Sequence, residues 1–95
     1  MKEKEKLESI AASLLKRFPG STLELVDEIF DTGNRFLRFR EKGRGLRVEI
    51  TRIALEDLPA DAIVSRLAKW HPSHGDAAVR VYSDRIEEVP WDAWD

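Results

Sequence analysis

The chain has 95 residues, a length that fits one domain (1–95) and one modest core, since folding at this size buries roughly two thirds of the surface the unfolded chain exposes. It contains no cysteine, which excludes disulfides and thiol chemistry, and no apolar run of membrane-spanning length, so no membrane partner is expected. The net charge of −2 argues neither for nor against nucleic acid, which leaves the distribution of charge as the informative quantity.

The opening Met1-Lys2-Glu3-Lys4-Glu5-Lys6 lacks the apolar core of a signal peptide, so the expected compartment is the cytoplasm. Residues 2–18 read as an amphipathic helix, with residues 1–5 a candidate frayed start. Leu7, Ile10, Ala11, Leu14, Leu15 and Phe18 recur at three- and four-residue spacing and form one stripe. Pro19-Gly20 ends it.

Residues 21–30 read as a strand with Leu23, Leu25 and Ile29 on one face. Asp27 falls on that same face, a conflict that a bulge near Val26-Asp27 or an edge position would resolve. An ion pair of Asp27 with Arg38 or Arg52 at a strand edge is the expected arrangement. Asp31-Thr32-Gly33-Asn34 follows as a turn, with Gly33 in the left-handed conformation.

Residues 35–41 and 46–52 both alternate apolar and polar, and together they read as a hairpin. A type II′ turn with Gly43 first sets Phe39 opposite Val48 and Leu37 opposite Ile50 on the buried face. The other face then carries Arg40 opposite Arg47, Arg38 opposite Glu49 and Phe36 opposite Thr51. Gly43-Arg44-Gly45 is accounted for by this turn.

Residues 57–70 read as a second helix, capped by Asp57, with Pro59 in its first turn and Ala60, Ile63, Val64, Leu67 and Trp70 along one side. Pro72 and Gly75 end it. Residues 76–82 are a fourth strand with Ala77, Val79 and Val81 inward and Arg80 and Tyr82 outward. Residues 90–95 form an acidic, aromatic tail without clear periodicity. The order is α-β-β-β-α-β. It implies an α+β domain, with two helices packed on one face of a mainly antiparallel four-stranded sheet and the fourth strand parallel to the third at an edge. The first five elements resemble the double-stranded-RNA-binding domains in order only; the lysine cluster those domains carry at the second helix is replaced here by Leu58-Pro59-Ala60-Asp61.

Charge is segregated along this order. Residues 35–52 hold Arg35, Arg38, Arg40, Lys42, Arg44, Arg47 and Arg52 against only Glu41 and Glu49, whereas residues 84–95 hold five acids against Arg85. Arg38, Arg40 and Arg47 on the outer face, with Lys42 and Arg44 at the tip, are the residue types that bind phosphate backbones, and Phe36 beside them could stack a base. The competing explanation is a solvated face whose charges discourage aggregation. Val26, Phe30 and Phe36 form a candidate apolar patch on the same face, to be covered by the tail through Trp91 and Trp94 or by a second copy of the chain. His71, His74 and Asp76 are zinc- or nickel-type ligands, but Pro72 keeps the histidines off one helical face and no fourth ligand is nominated, so no metal or other cofactor is expected. No nucleophile motif or phosphate-cradling loop is present, and an enzyme is not expected. The leading expectation is a non-catalytic protein–protein interaction module, homodimeric through the outer sheet face and the tail, with nucleic-acid binding by the basic hairpin and metal binding at His71 and His74 as the alternatives.

Overall fold

The computed structural model describes residues 3–29, 33–72 and 75–91. It is an α+β domain with a mixed five-stranded sheet and three helices. Helix α1 is Glu3–Arg17, followed by strands β1 Ser21–Ile29, β2 Asn34–Glu41 and β3 Arg44–Ile50. Helices α2 Arg52–Asp57 and α3 Ala60–Leu67 then lead to strands β4 Ala77–Val81 and β5 Ile86–Val89. The strands lie side by side in chain order, antiparallel except for the central β3–β4 pair, which is parallel and so needs the helical crossover between them.

The helix stripes and the alternating strands meet on one face. Leu7, Ile10, Ala11 and Leu14 of α1, Ile63 and Leu67 of α3, and Ala54 and Leu55 of α2 are buried against Leu37, Phe39, Leu46, Val48, Ile50, Ala77, Val79 and Val81. Each fully buried leucine or isoleucine contributes on the order of 1.5–3 kcal/mol. Polar ties close the edges of this layer. The Lys6 ammonium donates to the Leu55 carbonyl, and Arg17 donates to the Ala68 carbonyl at 2.7 Å. Trp70, buried beyond the end of α3, meets Phe18 edge-on at 6.4 Å and donates its indole N–H to Glu88 at 3.1 Å.

Several sequence expectations are corrected. An unexpected helix, α2, takes up residues 52–57, where the sequence reads the end of the third strand and the start of the next helix, and the helix expected over 57–70 is the shorter α3, Ala60–Leu67. Thr51 caps α2, accepting from the Ala54 N–H at 3.3 Å, and Leu58 is extended because a following proline disfavours the helical region. Pro59, not Asp57, occupies the cap position of α3. The sheet has five strands rather than four, and β4 is not at an edge, because residues 86–89 return along it as β5. That strand was hidden in the sequence, since Ile86-Glu87-Glu88-Val89 offers each face one apolar and one acidic residue.

The hairpin register is shifted by two residues. Lys42 and Gly43 both have positive φ, 49° and 83°, so the loop is the type I′ pair Lys42-Gly43 and not a type II′ pair beginning at Gly43. Phe39 therefore faces Leu46, Leu37 faces Val48, Arg38 faces Arg47 and Phe36 faces Glu49. A shift of two preserves which face each side chain takes, so the apolar alternation cannot reveal it. The bulge in β1 is real but falls between Leu23 and Leu25, earlier than expected. It sets Val26 opposite Leu37 and Asp27 opposite Phe36, the reverse of the expected parity.

Candidate functional site

The three helices cover one face of the sheet and leave the other to the strands alone. Residues directly paired across strands share a face, so the registers define three rows on the helix-free side. The first row is Phe36, Glu49, Arg80 and Glu87; the second is Arg38, Arg47, Ala78 and Val89; the third begins Arg40, Gly45.

The first row holds an unusual group for a sheet surface. Glu49 is only 2 % exposed and is the one charged residue buried among the described residues. Burying a carboxylate is costly unless it is paired. Its Oε2 lies 3.0 Å from Arg80 Nε and accepts from the Asn34 side-chain amide at 2.6 Å, while Oε1 has no hydrogen-bond partner among the described residues. Arg80 also donates to the Tyr82 hydroxyl at 3.3 Å. That bond raises the Arg80 pKa above its ordinary value; partial burial opposes the rise and the Glu49 charge adds to it. Asn34 extends the network to α2, its side-chain oxygen accepting from the Arg52 N–H at 3.0 Å. This is a neutralised network that ties β2, β3 and β4 together.

The second and third rows form a seat for Trp91. Arg38 and Arg47 stand opposite each other, an arrangement that is repulsive by itself. The Trp91 ring lies against both, 4.2 Å from the Arg47 guanidinium carbon and 5.8 Å from that of Arg38. An aromatic face is attractive to cations, by about 0.5–1 kcal/mol at sites open to water. Arg47 also donates to the Trp91 carbonyl at 3.1 Å. The outer edge of the indole occupies the space above Gly45, where a Cβ would sit 2.4 Å from ring carbon Cη2. Any side chain at position 45 would displace the ring. Gly45 is further fixed by its N–H, which donates to Asp76 Oδ1 at 2.8 Å.

The predicted site residues are thus divided. Phe36, Arg38, Arg47 and Trp91 are brought together on the helix-free face, with Phe36 and Trp91 half-buried. Arg40 is exposed at the end of the third row, and Lys42 is exposed in the turn. Arg44 leaves the cluster: it faces Glu41 on the opposite side of the sheet and pairs with it at 3.0 Å. The expected basic group is therefore broken up, two of its arginines holding Trp91 and a third neutralised elsewhere. Val26 pairs with Leu37 in the backbone register, and its side chain lies outside what the structure describes. Phe30, Trp94 and His74 lie outside the described residues. His71 is exposed, the Asp76 carboxylate is engaged with Gly45, and no group of three or more His, Cys, Asp or Glu is placed to hold a metal among the described residues. Also among them, no helix is long and apolar enough to cross a membrane.

Sequence reasoning missed Gly45 and Glu49. A glycine inside a strand marks a close approach of something else, and that signal was available once the turn had been placed at Lys42-Gly43. Glu49 gave no signal of its own, because its burial depends on neighbours supplied by β2 and β4. Compared with protein-family models, curated proteins and solved structures, the chain matches none.

Proposed function

We propose that the chain is a non-catalytic protein–protein interaction module that self-associates through its helix-free sheet face and C-terminal segment. The observation that carries this reading is Trp91. A residue from an acidic, aromatic segment rests on Arg38, Arg47 and Gly45, so the face presents the chemistry that accepts such a segment. Phe36, half-buried next to this seat, supplies apolar area that a second copy would cover. The buried carboxylate, Glu49, is held by Arg80 and Asn34 in a structural pair, which argues for a binding surface over an acid–base site.

Sedimentation equilibrium on the wild type and on Phe36→Glu tests it. The expected result is a concentration-dependent dimer that the added charge dissociates. A wild-type chain that stays monomeric throughout removes the self-association.

A further inference from the structure

The notch above Gly45 has the makings of a ligand site that the chain fills with its own side chain. Three features converge there. The first is steric: Gly45 is buried, yet the volume a side chain would take is given to the edge of an aromatic ring, with approaches of 2.4, 3.0 and 3.3 Å to three indole carbons. The second is electronic: Arg47 and Arg38, at 4.2 and 5.8 Å from the ring centre, are cations presented to a π face. The third is directional: the Arg47 Nη1 donates at 3.1 Å to the main-chain carbonyl of Trp91 itself, so the ring and the backbone oxygen of one residue are read together.

We propose that this notch is a binding site for an aromatic side chain carried on an acidic peptide segment, occupied in cis by Trp91 and open to the same chemistry in trans. The segment that fills it defines the ligand class. Glu87 lies on the same helix-free face and Asp92 follows Trp91 in sequence, whereas Glu88 is turned to the helix side with Trp70, so the occupant is a tryptophan with acidic neighbours next to an arginine-bearing face. Charge complementarity favours a peptide of that kind over a neutral aromatic ligand. Gly45 sets specificity by leaving room, and Arg38 and Arg47 supply the attraction. The proposal rests on the reading of this face as a polypeptide-binding surface. It does not require the partner to be a second copy.

The test titrates full-length ¹⁵N-labelled Trp91→Ala protein with the acetylated peptide Glu-Glu-Val-Pro-Trp-Asp, following amide shifts. Saturable shifts centred on Gly45 and Arg47 are expected. The affinity should be about tenfold or more higher than for the wild type, whose own Trp91 lowers the open fraction. Gly45→Val in the same background should abolish them. If Trp91→Ala loses the fold, wild-type protein at excess peptide gives the same Gly45 shifts at the weaker affinity. A folded Trp91→Ala protein that shows no saturable shifts overturns the proposal, as does binding that survives Gly45→Val. Adenosine monophosphate, run in parallel, must not outcompete the peptide; if it alone moves Gly45, the notch reads a base and a phosphate and the peptide assignment falls. A monomeric wild type with intact peptide shifts removes self-association and leaves this site standing.

Discussion

Among the charged residues, Glu49 is the one whose removal bears most directly on stability. Its carboxylate is buried between Arg80 and Asn34, and a buried charge that loses its partner costs about 3–5 kcal/mol. Arg80 keeps about a quarter of its side chain in water, 27 %, so the cost of stranding it is smaller. Glu49→Ala is therefore expected to destabilise the protein by about 2 kcal/mol, read as a lower urea midpoint. The double variant Glu49→Leu with Arg80→Met should recover most of that loss, because well-packed apolar groups often replace a buried pair at little cost. A double variant no more stable than Glu49→Ala would show that the charges themselves support the sheet. The arginine adds no pH dependence near neutrality. Its folded pKa is raised, so its contribution is complete below the ordinary arginine value and is lost only as pH climbs past the raised one.

At the scale of elements, the patterns that repeat were legible and the joints between them were not. The stripe of α1 and the alternation of β2 and β3 mark the buried faces directly, and Leu7, Ile10, Leu14, Leu37, Phe39, Val48 and Ile50 are where the periodicity puts them. The joints depend on backbone geometry that periodicity does not encode. Pro59 and the extended Leu58 delay the expected helix to Ala60 and separate it from an α2 that the sequence pattern does not mark, and a loop one residue earlier than expected slides the hairpin by two. That loop is open to test. Lys42 holds φ of 49°, which costs a residue with a Cβ about 1 kcal/mol, whereas asparagine tolerates it better. Lys42→Asn is expected to stabilise the chain by about 0.5 kcal/mol, and Gly43→Ala to destabilise it by about 1 kcal/mol or more, both measured as shifts in the urea midpoint. If Gly43→Ala left stability unchanged, the type I′ assignment, and with it the register, would be in error.

Across the whole molecule, the segregated charges of the sequence find a spatial role: the acidic C-terminal segment approaches the arginine-bearing face through Trp91. That approach was legible as an attraction but not as a site, because the seat is assembled from Gly45 on β3 and Arg38 on β2 only once the register is known. The two sides of the sheet differ in strength. The helix side is a continuous buried core, whereas Trp91 is held by one notch and two arginines at the surface. Partial burial of one indole and two cation contacts amount to about 1–3 kcal/mol, below the roughly 5–15 kcal/mol of a whole domain. The Trp91 seat should then open before the fold does. The chain has three tryptophans, so Trp70→Phe with Trp94→Phe leaves Trp91 as sole emitter. Losing the Trp70–Glu88 hydrogen bond costs about 1 kcal/mol, which narrows the gap without closing it. In urea, Trp91 emission is expected to shift to the red at lower concentration than the far-ultraviolet circular dichroism is lost, and earlier still at high salt, which screens the acidic segment from the arginines. Coincident transitions at both salt concentrations would mean that Trp91 is an integral part of the cooperative core. An indole that cannot leave without unfolding the domain cannot give up its seat to a partner.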